Sequence, residues 1–300
     1  FGIVGFDTPN FASNSDTPFD FSPASNSLAI GAYTTTERIL FYDFNNSTTT
    51  TTLHQEYYVK FSPDGNSLAI LDDNISNQNQ IKIINIGTLQ IEKVIPYYAS
   101  QFAFSTDGSK MIIQSESEAK FRLIDLNSLN VIWEISTSVF KNAVFNNAGD
   151  KIICIDNYSR ILFLNVSDGM AFNSIFAQNP SIYDFRVTGD DKYLLLISGS
   201  QILQKNYLEV WELQSLSFVK ILGEGNCLAV SPDNQLVALS NVDIDLYRLS
   251  DFAKVGNKLT GRYPSGFLCF NYQSDLLAVG FPAFHPSILK LNHQWISLNN

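Results

Sequence analysis

Three histidines, three cysteines and a few paired acids are the side chains of this 300-residue chain best suited to hold a metal or carry covalent chemistry. Their spacing does not serve that purpose. His54, His285 and His293 form no HExxH or HxH arrangement and have no cysteine at ligand spacing, so each reads as a solvated loop or turn residue. Cys154, Cys227 and Cys269 contain no CxxC pair, and all three fall in apolar strand-like runs, where free cysteine acts as a small core residue. Asp72-Asp73-Asn74, Asp190-Asp191, and Asp243 with Asp245 come closest to a cation site. Calcium needs six or more converging oxygens, however, and aspartate is a standard turn residue. No GxSxG elbow, GxGxxG or GxxxxGK[ST] loop occurs. The expectation is a non-enzyme with no catalytic residue, metal or cofactor. Aromatic recognition is the better chemistry. Tyr57, Tyr58, Tyr97, Tyr98, Phe140, Tyr183 and Tyr263 each lie three to seven residues ahead of a recurring phenylalanine or valine.

That recurring residue defines a repeat. It stands at Phe21, Phe61, Phe104, Phe145, Val187, Val230 and Phe270, at successive spacings of 40, 43, 41, 42, 43 and 40. Each copy continues through a polar turn, with an aliphatic residue seven positions after the anchor. In the clearest copy, Phe61-Ser-Pro-Asp-Gly65, Pro63 presets φ, Asp64 tolerates the third turn position and Gly65 accepts positive φ. Strands are predicted at 57–61, 66–71, 81–86 and 90–95, which make a four-stranded meander. Third strands recur at 39–44, 81–86, 121–126, 161–166, 208–213, 244–249 and 287–292. Four short strands every forty residues, seven times over, predict an all-β, seven-bladed β-propeller of four-stranded antiparallel blades filling residues 1–300 as one domain. Blades pack only on their neighbours, which lets one domain reach this length.

The third strands and the FSPDG turn resemble the WD-repeat family over residues 19–298. The family's Trp-Asp pair appears as Tyr42-Asp43, Ile84-Asn85, Ile124-Asp125, Leu164-Asn165, Trp211-Glu212 and Tyr247-Arg248. No copy is a literal Trp-Asp and the Gly-His pair is missing, so the family's His-Asp-Trp hydrogen-bond network is not expected. Bacterial surface and lactonase-type propellers are cousins of the same build. The resemblance implies that partners dock on the loop-bearing face around the central channel, where Tyr57, Tyr58, Tyr97, Tyr98, Tyr183, Tyr263 and Phe284 are the candidate binding residues. Tyr33, Tyr158 and Phe281 belong to long loops on the same face. The implied function is a non-enzymatic scaffold for a protein or peptide. The alternatives are a lactonase- or quinoprotein-like enzyme with a metal or cofactor in the channel, for which Asp20 and Asp184 are the available acids, and an exported carbohydrate-binding propeller.

Charge excludes some partners. The formal net charge is −10, the pI is near 4.7, and the 19 basic residues are scattered singly, so no nucleic-acid surface is expected. No apolar run reaches the length of a membrane span, and no membrane insertion is expected. Sparse cysteine favours a cytoplasmic over a secreted location, although Asn45, Asn46, Asn74, Asn157 and Asn165 head glycosylation triplets. The chain opens at Phe1 and reads as part of a longer protein, monomeric as an isolated domain. Residues 295–298 and 1–6 are both strand-like, and a latch in which both ends complete the last blade is the expected closure.

Overall fold

The computed structural model describes residues 19–32, 38–51, 56–72, 79–137, 140–156, 158–200, 205–259, 267–281 and 284–291. Among them every regular element is a strand. The fold is that of a seven-bladed β-propeller, with seven antiparallel sheets following one another along the chain. The first sheet comprises β1 (Phe19–Phe21), β2 (Ser27–Ala32), β3 (Arg38–Asp43) and β4 (Thr48–Thr51). The second has β5 (Glu56–Phe61), β6 (Ser67–Asp72), β7 (Gln80–Asn85) and β8 (Ile91–Tyr98). The third has β9 (Gln101–Phe104), β10 (Lys110–Ser115), β11 (Lys120–Asp125) and β12 (Val131–Ser136). The fourth has β13 (Lys141–Phe145), β14 (Lys151–Ile155), β15 (Arg160–Asn165) and β16 (Ala171–Phe176). The fifth has β17 (Ser181–Val187), β18 (Tyr193–Ser200), β19 (Lys205–Glu212) and β20 (Ser217–Glu224). The sixth has β21 (Cys227–Val230), β22 (Leu236–Ser240), β23 (Ile244–Arg248) and β24 (Lys254–Leu259). The seventh has three strands among the described residues, β25 (Phe267–Phe270), β26 (Leu276–Phe281) and β27 (Phe284–Lys290). Both segments expected to complete it, 295–298 and 1–6, lie outside the described residues.

The sequence repeat is the register of a hairpin. Every anchor is the last residue of a first strand. The residue seven positions on is its cross-strand partner: Phe61 pairs with Leu68, Phe104 with Met111, Phe145 with Ile152, Val187 with Leu194, Val230 with Val237, and Phe270 with Leu277. A shift by one residue would turn the buried row outward, so this spacing is held tightly. The turn between the two strands puts its fourth residue in the left-handed region, as Gly65, Gly108, Gly149, Asp191, Asn234 and Ser274, with φ from 54° to 72°. Glycine or a small polar residue is the type that tolerates this conformation.

The residue after each anchor is polar and buried in all seven copies: Ser22, Ser62, Ser105, Asn146, Thr188, Ser231 and Asn271. Its side chain closes the turn. The Ser105 hydroxyl donates to Asp107 Oδ1 at 2.6 Å and accepts from Lys110 N–H at 2.9 Å, and Ser62, Thr188 and Ser231 make the same pair of bonds. Asn146 and Asn271 accept through Oδ1 and donate through Nδ2 to Asp150 and Asp275. The buried side chain after the anchor is thus hydrogen-bonded, which is what makes its burial tolerable. The Ser105 hydroxyl, with the Ser109 N–H and hydroxyl, pulls the Asp107 carboxyl down to about 2 from 3.8. Its contribution to stability is therefore complete above about pH 4 and fades as pH falls toward 2. The stability gap between the parent and Ser105→Ala, read from urea midpoints, should be largest near neutral pH and shrink through that acid range. A gap that stays constant would show that the bond does not act through Asp107.

The chain divides into two compact units, residues 22–31 with 36–177, and residues 1–21 with 32–35 and 178–300. In the first unit, Ile81, Ile83, Ile95, Met111, Ile113 and Ile124 form one apolar layer between the second and third sheets. Phe121, Leu123, Phe145, Ile152, Cys154 and Leu164 form the next layer, between the third and fourth. Outer strands tie across these layers: Lys93 Nζ donates to Leu126 O and Trp133 Nε1 to Val166 O, each at 2.7 Å. In the second unit, Leu195, Ile197, Leu208, Val210, Leu228 and Val237 join the fifth and sixth sheets. Leu236, Leu246, Phe270, Leu277 and Val279 join the sixth and seventh. Burial raises the Cys154 and Cys227 thiols, the latter to about 12, so neither is a nucleophile. Cys269, expected in the core, is only half-buried, because β25 shows alternate residues to solvent.

Candidate interaction surface

The candidate tyrosines divide by where each lies in its strand. Tyr57 and Tyr183 occupy the same repeat position, four residues before their anchors, and both are the extra residue of a β-bulge. In β5 the pairing steps from Glu56–Asp72 to Tyr58–Leu71; in β17 it steps from Ile182–Ser198 to Asp184–Ile197. A bulge leaves its extra residue out of the ladder and re-aims the side chain. Tyr183 is 46% exposed. Next to it Asp184 Oδ1 accepts from Phe185 N–H at 2.8 Å and from Arg186 Nη1 at 2.5 Å. The one other acid assigned to the channel, Asp20, is buried in β1.

A second display is local to the turn between β14 and β15. Asp156, buried, accepts from Tyr158 N–H, Arg160 N–H and Arg160 Nε at 2.7–2.9 Å. This folds the turn back and leaves Tyr158 76% exposed, with the Arg160 guanidinium carbon 5.6 Å from its ring centre. The carboxylate holds the arginine and the arginine supports the ring. Such prearranged aromatic–arginine displays suit protein recognition, where tyrosine and arginine dominate binding energy.

Tyr58, Tyr97 and Phe140 pack on interior layers. Tyr58 meets Phe102 edge-on at 5.1 Å and packs on the layer between the second and third sheets. Tyr97 and Tyr98 were expected ahead of a first strand but end the outer strand β8, which runs three residues beyond its expected limit. Tyr97 packs on the same layer, donates its hydroxyl to Leu129 O at 3.3 Å and lies under Arg122 at 5.0 Å. Tyr98, half-buried, pairs with Gln80. Phe140 meets Phe121 edge-on at 5.0 Å. Phe281 and Phe284 are register partners in the β26–β27 pair, and His285, expected in a loop, lies in β27. Tyr33, Tyr263, His54, His293 and Asp73-Asn74 lie outside the described residues.

A polar cluster in the fifth sheet has no signature among the motifs of the chain. Glu209 of β19 is 0% exposed, and its carboxylate accepts from the Ser198 hydroxyl, Trp211 Nε1 (2.9 Å), Gln178 N–H (3.0 Å) and Asn179 Nδ2 (3.3 Å). The cluster joins β18 and β19 to the connection that leads into β17 and hence to Tyr183. Among the described residues no group of three or more His, Cys, Asp or Glu side chains converges as a metal site.

No protein-family model and no curated protein matches the chain. Solved structures do. A chain of the hydrazine synthase of Kuenenia stuttgartiensis is similar at TM-score 0.73 and 13% identity, over 97% of this chain and 99% of that one. A chain of a mitotic checkpoint complex is similar at TM-score 0.72 and 10% identity, over 96% and 98%. One belongs to an enzyme and the other to an assembly, and identities this low carry fold without function. In fold, the chain is a seven-bladed β-propeller like these neighbours.

Proposed function

We propose that the chain is a non-catalytic binding module in which each unit meets a protein or peptide partner through its own tyrosines, Tyr57 and Tyr158 in the first and Tyr183 in the second. The observation that supports this most is the bulge at one repeat position, which takes Tyr57 and Tyr183 out of their ladders. The mitotic checkpoint neighbour, a propeller within a protein complex, is consistent with the same use of the fold. Of the remaining candidates, Tyr98, half-buried at the end of β8, is the one that can add to the first unit's surface, whereas Tyr58 and Tyr97 pack on the core.

A photo-crosslinking amino acid placed at Tyr158, and separately one at Tyr183, in the cells that make the protein, should each trap a protein partner. The same probe at exposed Val242 should not. Alanine at Tyr158 and Tyr183 should each weaken capture of the partner found at that position about tenfold or more, the loss typical of a central aromatic contact. Unchanged capture by both variants would sink this reading. A stoichiometric divalent ion in the purified protein would instead favour an enzyme.

A further inference from the structure

An outer strand leaves a row of backbone N–H and C=O groups unpaired, and proteins guard such rows with charge, proline or brevity. Glu92 and Lys93 stand on β8, Glu134 on β12, Lys220 and Glu224 on β20, Lys254 on β24, while β4 is four threonines. The outer strand β16 has none of these guards. Residues 169–183 contain no charged side chain. Phe172 is 48% and Phe176 64% exposed, with Met170 exposed beside them. Phe172 is itself the extra residue of a bulge, between the Phe163–Asn173 and Leu164–Ala171 pairs. The Ser174 N–H donates to Asn173 Oδ1 at 2.8 Å, so the strand covers one of its own donors with a side chain.

We infer that β16 takes an extended segment of another protein as a fifth strand, apolar at alternate positions and basic at the end that meets Asp168. The exposed rings call for apolar side chains on the incoming strand, while main-chain hydrogen bonds supply the remaining attraction. Charge sets the rest. The chain carries −10, and Asp168 is exposed on the turn leading into β16, so a basic segment is attracted and a second copy of this acidic chain is repelled. This surface uses none of the tyrosines of the proposed binding module, and either can fail without the other.

The test is fluorescence anisotropy with the full chain and two short labelled peptides of alternating valine and threonine, one ending in two lysines and one in two glutamates. The lysine peptide should bind about fivefold or more tightly than the glutamate peptide at low salt, an advantage that fades as salt screens it. Phe172→Lys and Phe176→Lys, shown folded by circular dichroism, should each weaken it about tenfold, whereas Tyr183→Ala should leave it unchanged. Asn173→Val, which uncovers the Ser174 N–H, should strengthen it about threefold. Binding by both phenylalanine variants as tight as the parent's would overturn the inference, as would weaker binding by Asn173→Val. So would a dimer that Phe176→Lys dissociates and the lysine peptide does not, because the occupant would then be a second copy.

Discussion

Replacing Glu209 by alanine should lower the unfolding free energy by about 3–5 kcal/mol, since it strips a buried charged acceptor from four donors at once. Ser198 and Trp211, both buried, would lose their acceptor, while Gln178 N–H and Asn179 Nδ2 at the edge of the cluster would each lose one bond, Asn179 keeping its bond to Ser198. Glu209→Gln should recover only part of the loss. Its amide oxygen can still accept, but its NH2 would point at groups that are themselves donors. Denaturant midpoints give the total. Hydrogen exchange should place the damage in residues 178–212, because sheets of a repeat fold unfold with some independence. A Glu209→Ala protein within about 1 kcal/mol of the parent would mean that the cluster admits water and is not the buried tie described here.

The second large effect comes from two glycines with the same backbone and different surroundings. Gly65 has φ 71° and Gly108 φ 70°. A methyl group on Gly65 would lie 2.5 Å from Ala24 Cβ and 2.8 Å from Ala24 N, whereas on Gly108 its nearest neighbour is Pro63 Cδ at 3.5 Å. Gly108→Ala should therefore cost only the left-handed penalty, about 1 kcal/mol. Gly65→Ala adds overpacking against a neighbouring backbone and should cost about 2–4 kcal/mol in all. Equal losses at the two sites would show that the turns of the first and second sheets are not packed as tightly as they stand here.

The hairpin register was legible because it is written twice, once in the anchor and once seven residues later. Asp190-Asp191 was readable as a turn for a similar reason: Asp191 sits at the place of Gly65, and both are left-handed. What escaped the sequence depended on neighbours distant in the chain. Tyr97 and Tyr98 look like the approach to a first strand, yet β8 continues through them because Tyr97 finds the Leu129 carbonyl and the Arg122 guanidinium in the adjacent sheet. Glu209 resembles a solvent-facing charge in an alternating strand. Only the fold brings Gln178, Asn179 and Ser198 to it. The bulges were likewise invisible, since Tyr57 and Tyr183 carry no signature of an extra residue beyond the break in alternation at Tyr57-Tyr58. Binding surfaces are harder to read than catalytic ones on the same grounds, because recognition by aromatic rings needs no fixed set of residue types.

The self-contained turns bear on how the molecule assembles. Ser62, Ser105, Thr188 and Ser231 each close their loop with partners no more than five positions away. A hairpin whose polar groups are satisfied so locally needs no distant segment to begin forming, and such hairpins nucleate on a timescale of about 1–10 μs. Folding thus has many equivalent starting points, and the slow event is left to the docking of one finished sheet on the next.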